Sequence, residues 1–298
     1  MFIPSGEQIE LRCGDLRATV VEVGGGIRSL TSGNFELLAG YAVGECAYAS
    51  QGMPLIPWPN RIRDGRYFSQ GQNQQLPLSE PVRHNAIHGL TRWLNWTWQR
   101  QDAGTVTLRQ RLRPQPGYPF ALDIAIGYEL SDGGLRVSTS VTNIGTQAAP
   151  FGNGFHPYFS AGEGVVDNTM LQLQSRTRLI CDSQMIPTGE SAVVAGTEWD
   201  FRAGKRVENL ALDTAFADLD RDPGGRANIR FEPPTGPALK VWMDRGYGWV
   251  MLYTPESRRS LAIEPMTCPP DAFNSGTGLV VLEPAQTHSS TWGIAVLG

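Results

Sequence analysis

Glu264 stands where an apolar run meets proline. Residues 259–274 read RSLAIEPMTCPPDAFN. Leu261 and Ile263 alternate with smaller residues, the period of a half-buried strand. Pro265, Pro269 and Pro270 remove three backbone donors, so the ladder is expected to end there. A carboxylate in that position is either a solvated strand end or a group held in a lined pocket. In a pocket, a partly buried Glu can act as a general base.

Four histidines are present. His156 lies among Phe155, Pro157, Tyr158 and Phe159, an aromatic wall of the kind that packs on the C–H faces of sugars and on other apolar bodies. It reads either as a satisfied core histidine or as an acid–base group. His84 and His88 have the H-x3-H spacing that would put two metal ligands on one helix face. Pro81 and Gly89 make that segment a loop, and no third ligand is near in sequence, so no metal is expected. A His before a Gly, close to Trp93, Trp96 and Trp98, suits a small-ligand pocket as well as a loop His bonded to backbone. Asp213 opens a strand and is either a turn acid or a binder of ligand hydroxyls. Arg61 is either a fork donor to ligand oxygens or a surface ion-pair partner. Asp213 and Glu264 could also form the carboxylate pair of a glycosidase.

The elements that must position these groups are short and extended. Residues 8–12, 18–23 and 27–32 read as strands of a meander, with Gly24-Gly25-Gly26 as a turn or bulge, because the Lys and helix of a phosphate-binding loop are missing. Asp64-Gly65 sits between Arg61-Ile62 and Tyr67-Phe68 as a hairpin turn. Trp93, Trp96 and Trp98 are expected on a strand running into residues 105–111. The strongest signal is 120–144, where LDIAIGYEL and LRVSTSVTNI alternate around Ser131-Asp132-Gly133-Gly134, a long hairpin with one buried face. Residues 168–181 predict a strand pair, and 182–208 a loop-rich stretch. Short strands follow at 212–220, 227–231, 238–243 and 248–253, then two more in 278–297. No segment keeps a 3.6-residue period beyond about two turns. The expectation is an all-β chain forming one domain, 1–298.

Composition agrees with that class. Of 298 residues, 34 are Gly and 21 Pro, which means many turns, and 41% are hydrophobic, enough for a large core. The net charge is −4 and nearly all cations are Arg without a basic block, so no nucleic-acid partner is expected. Nothing approaches the length of a membrane span, and the N-terminal stretch has no signal-like apolar region. Cys13, Cys46, Cys181 and Cys268 are scattered, which fits reduced thiols in a cytoplasmic protein.

In order along the chain, PWPNRIRDGRYF (57–68), NAIHGL (85–90), GFHPYF (154–159), LDTAFADL (212–219) and IEPMTCPPDAFNSG (263–276) resemble the aldose 1-epimerase (galactose mutarotase) family, in particular a bacterial aldose-1-epimerase-like branch. The sequence departs from the better-known members at Leu90, where they usually have Gly, and at Phe155, where they tend to have Asn. The resemblance implies a large antiparallel β-sandwich, the supersandwich of this family. It also implies roles: Glu264 as general base, His156 as general acid on the ring oxygen, and His88, Asp213 and Arg61 as sugar binders. Interconverting anomers needs no cofactor. It needs a base and an acid in opposite protonation states, expected as ionised Glu264 and protonated His156. The expected partner is a small free aldose, with the protein a monomer or homodimer. A phosphorylated or sulfonated sugar is an alternative, held by Arg61, Arg63, Arg66, Arg83 or Arg92. A non-catalytic carbohydrate-binding protein is another.

Overall fold

Strict alternation drives the architecture. In Leu122–Ser131 and Gly134–Asn143 every second residue is buried, and the two strands pair from Leu122 opposite Asn143 to Ser131 opposite Gly134. This is the hairpin expected from the pattern, closed by Asp132-Gly133. A computed structural model describes residues 2–297. In it the strands form two large antiparallel sheets, one of twelve strands and one of nine, with three two-stranded ribbons. Each large sheet turns one face to a shared core. Leu11, Val20, Phe159, Leu252, Leu261 and Ile263 come from the first; Leu108, Ile124, Val137, Val241, Trp292 and Ile294 come from the second. Each such side chain fully buried stabilises the fold by roughly 1.5–3 kcal/mol. This is the large antiparallel β-sandwich that the family resemblance implies, and it agrees with the all-β reading of the strand pattern. Among the described residues the helical pieces are one α-helical turn, Ala272–Ser275, and two 3-10 turns, Pro81–Arg83 and Val166–Asn168.

Several local expectations are corrected. Asp64-Gly65 is a turn, but not of a hairpin: Arg61–Arg63 pairs with Asn85–Ile87, and Arg66–Ser69 with Gln72–Gln75. The Arg63 N–H is taken by the Asp271 carboxylate at 2.9 Å, which redirects the chain. Met170–Leu173 and Ser175–Cys181 do not pair with each other. They belong to different sheets, so the chain crosses the sandwich at Gln174. The stretch expected to be loop-rich contains a strand, Pro187–Val193, paired with Ser175–Cys181. Its side chains are mostly exposed, so no apolar period announces it. Of the three tryptophans only Trp98 lies on a strand, Thr97–Arg100. The glycine triplet is a tight turn at a bulge: Gly25 has φ +67°, and a Cβ there would stand 2.9 Å from the Trp96 ring.

Pro265 does not end its strand. Ser260–Met266 is fully buried in the middle of the larger sheet, with Trp249–Tyr253 on one side and Gly154–Phe155 and Tyr158–Ser160 on the other. Ile263 donates to the Pro157 carbonyl at 3.2 Å. By the two-residue period of a strand, the Pro265 nitrogen faces the same side, opposite Phe155, in the register that sets Gly154 against Met266. The missing donor removes one bond from that pair, and the strand continues because Met266 and Thr267 pair beyond it. Pro269 and Pro270 follow the strand's end.

Candidate active site

The Ser260–Met266 strand sends Leu261 and Ile263 into the core and Ala262, Glu264 and Met266 to the opposite face. That face is the floor of the site. Gly154 lies opposite Met266, and Tyr158 opposite Ala262. The same register sets His156 opposite Glu264. Ile263 bonded to Pro157 marks a hydrogen-bonded pair, so His156 and Glu264 form the adjacent, non-hydrogen-bonded pair, in which side chains come closest. Their Nε2 and Oε1 atoms are 3.3 Å apart. One row along, Tyr158, Ala262, Tyr253 and Asp213 lie side by side on four successive strands.

Loops wall this floor. Asn60 and Arg61, residues 79–92, and residues 48–50 complete a cavity of about 320 Å³, within the size range of small-molecule sites. Arg61, His88, His156, Asp213 and Glu264 all line it. Sequence reasoning named each of these five separately, and the fold brings them together. Asn60 and His88 sit at φ +54° and +61°. Left-handed backbone of this kind in non-glycine residues is held by its surroundings and concentrates at functional sites.

The two halves of the pair are deeply buried, Glu264 at 2% and His156 at 6% exposure. Glu264 Oε2 and His156 Nδ1 are enclosed without a hydrogen-bond partner among the described residues. Burial pushes the Glu264 carboxyl well above the usual range; the charge of Asp213 pushes the same way, and Arg61 pulls back. Burial takes His156 down to about 3; the residue's own backbone opposes this, and Arg92 and Arg61 reinforce it. Ionised Glu264 facing protonated His156, the state expected from chemistry alone, is thus not the one burial favours. Desolvation biases the pair toward carboxylic acid facing neutral imidazole. The two forms hold the same number of protons and differ only in where one proton sits.

His88 is fixed differently. Its Nδ1 accepts the Asn60 N–H at 3.3 Å, so its proton is on Nε2, available as a donor. Burial, then His156, Arg92 and Arg61, lower its basicity. Its ring meets His156 edge-on at 5.2 Å, while Tyr158 stacks on the other ring at 4.8 Å.

Arg61 is buried and bonds Glu80 twice, Nε at 2.8 Å and Nη2 at 3.0 Å; its Nη2 also lies 3.8 Å from Asp213. Glu80 further accepts from Arg83 at 3.0 Å and Asn85 at 3.2 Å. Sequence reasoning missed Glu80, a lone loop acid before Pro81 with no motif around it. Of the five arginines considered as anion holders, Arg61, Arg63 and Arg83 are paired with carboxylates and Arg66 with Gln75. Arg92 is buried in the cavity wall with no carboxylate partner among the described residues. It bonds Ser50 and the Ile87 carbonyl, and its Nε has no partner. Burial lowers its guanidinium to about 10, still charged at neutral pH. His84 points elsewhere, bonded to Asp64 at 2.8 Å.

A model of the aldose 1-epimerase family matches residues 7–295. The uncharacterised protein YihR of Escherichia coli K12 is 38% identical over 290 residues, covering 95% of this chain and 91% of that protein. Galactose mutarotase of Pongo abelii is 30% identical over 165 residues, covering 52% of this chain and 47% of that enzyme. A galactose mutarotase-like protein from Clostridium acetobutylicum superposes with a TM-score of 0.86 at 21% identity, over 97% of this chain and 94% of its own. At that identity the likeness is one of fold. No helix among the described residues is long and apolar enough to cross a membrane.

Proposed function

The chain belongs to the aldose 1-epimerase family, and from that premise we propose that it is a mutarotase, interconverting the α and β anomers of a free, hexose-like aldose by acid–base opening and closure of the ring. The observation that carries this reading is the buried cross-strand pair of Glu264 and His156, 3.3 Å apart on the floor of a sugar-sized cavity.

Anomer exchange starts when a base removes the O1 proton and an acid protonates the ring oxygen O5. The C1–O5 bond breaks and C1 becomes an aldehyde. In this reading Glu264 carboxylate takes the O1 proton and His156 imidazolium supplies the O5 proton. The pair is then carboxylic acid and neutral imidazole, the arrangement that burial favours. After rotation about C1–C2, O5 attacks the other face of C1. His156 recovers its proton from O5, and Glu264 returns one to O1. The two forms of the pair are thus the states needed before and after ring opening, with no proton exchanged with solvent. Arg61 favours the charged carboxylate and disfavours the imidazolium. His88, with Nδ1 occupied, serves as an Nε2–H donor to a sugar oxygen rather than as the acid. Asp213 accepts from hydroxyls, and Arg61 donates to them. The apolar wall offers Tyr158 and Tyr253 to C–H faces.

A non-catalytic carbohydrate-binding role would not need an acid and a base buried against each other without other partners. A second reading keeps the chemistry and changes the sugar. Arg92, charged, buried and without a carboxylate partner among the described residues, favours an aldose bearing an anionic substituent such as a phosphate or sulfonate group. An NMR exchange screen of anomeric signals over neutral aldoses and their 6-phosphorylated and 6-sulfonated forms tests both. Catalysed exchange of none of them would refute the mutarotase reading. A preference for the neutral sugars, unchanged in Arg92→Leu, would refute the anionic one.

A further inference from the structure

The register that sets His156 against Glu264 is weakly held where it matters. The hydrogen-bonded pairs on either side of it contain Pro157 and Pro265. Neither proline can donate, so each pair has lost one of its two ladder bonds. The next pair along is Asn153 and Thr267, and here the chain is tied twice. Thr267 N–H donates to the Asn153 carbonyl at 2.9 Å, and Asn153 N–H donates to the Thr267 hydroxyl at 2.9 Å. Thr267 thus replaces a ladder bond with a side-chain bond. The Asn153 side chain reaches across the core. Its Nδ2 donates to the Tyr247 hydroxyl at 3.1 Å and to the Ser290 hydroxyl at 3.3 Å. Ser290 belongs to Thr287–Val296, a strand of the opposite sheet. All four residues are at most 4% exposed. A polar knot between two apolar sheet faces adds less stability than apolar packing would; what it adds is a single, directional geometry.

We propose that Asn153 and Thr267 form a positioning clamp that fixes the spacing of His156 and Glu264, anchored to the opposite sheet through Tyr247 and Ser290. The proposal concerns the catalytic pair and rests on the mutarotase reading. Neither residue lines the cavity, so both act through the pair. Thr267→Val keeps the shape and removes the hydroxyl; Thr267→Ser keeps the hydroxyl. In Thr267→Val we expect kcat to fall at least tenfold with KM unchanged, and Thr267→Ser to stay within twofold of the parent. Tyr247→Phe, in a separate loop, should lower kcat by threefold or more, again without a change in KM. A sugar-independent readout separates the clamp from the activity: the His156 ring 15N shifts should move in Thr267→Val and not in Thr267→Ser. Equal kcat in the two Thr267 variants, a loss confined to KM, or unmoved His156 shifts in Thr267→Val would overturn the clamp. If the parent protein exchanges no anomers while the shifts respond as expected, the clamp stands as a structural device and the mutarotase reading fails.

Discussion

The pH dependence of turnover separates a buried, proton-sharing pair from two independent groups. Suppose Glu264 and His156 titrated at their ordinary values, 4.5 and 6.5. Carboxylate facing imidazolium would then dominate only between those values. At pH 3.5 only about 9% of Glu264 would still be ionised, and kcat/KM would be down about tenfold. The structure argues otherwise. Burial raises Glu264 and takes His156 to about 3, so between those limits the pair holds one proton throughout. The ratio of its two forms does not change with pH inside that window. We expect kcat/KM, which reports the free site, to have its acid limb near pH 3 rather than at 4.5, and to stay level above that until the raised Glu264 carboxyl titrates. Selective-inversion NMR of the anomeric protons, corrected for uncatalysed exchange, measures this from pH 3 to 9. A kcat/KM that falls tenfold per unit below pH 4.5 would refute the shared-proton account.

Glu80→Gln should raise KM about tenfold and change kcat by less than about threefold. It removes the carboxylate that grips Arg61 with two charge-assisted bonds and leaves Asp213, 3.8 Å away, as its nearest anion; a loss mainly in kcat would mean that Glu80 acts on the chemistry. The same protonation argument predicts a stability effect. Because Glu264 is raised in the folded state, that state holds the carboxyl proton more tightly than the unfolded chain does, so stability declines as pH rises toward the raised value, by up to about 1.4 kcal/mol per unit. His156 acts oppositely, its contribution rising between about 3 and 6.5, but it is present in the parent and in Glu264→Gln alike. Thermal melts should therefore show the parent losing stability relative to Glu264→Gln as pH rises above 4.5; parallel curves would contradict the raised carboxyl.

Much of the fold was legible because its core strands alternate cleanly. Leu122–Ser131 and Gly134–Asn143 read as a hairpin from period alone, since each turns one face to the core. Pro187–Val193 was not legible, because an edge strand with exposed side chains carries no apolar period. Pro265 misled for a physical reason. Proline usually marks a strand's end, but here the strand is paired on both sides beyond it, Met266 with Gly154 and with Trp249, a tertiary fact. The candidate site was legible as residue types within family motifs, and its assembly was not. The cross-strand register of His156 and Glu264 depends on residues far apart in the chain, and so does the grip of Glu80 on Arg61. Charge states were least accessible, because they are set by burial rather than by neighbours in sequence.

The central claim is that Glu264 is the base of an anomer-exchanging site. Two-dimensional NMR exchange between α and β anomeric signals of a turned-over aldose, with the parent and with Glu264→Gln, tests it most directly. We predict strong exchange cross-peaks with the parent and a loss of about 10²–10⁴-fold with Glu264→Gln, the range of one general acid–base group, while circular dichroism shows an intact β fold. Exchange at near-parent rates in Glu264→Gln would contradict it.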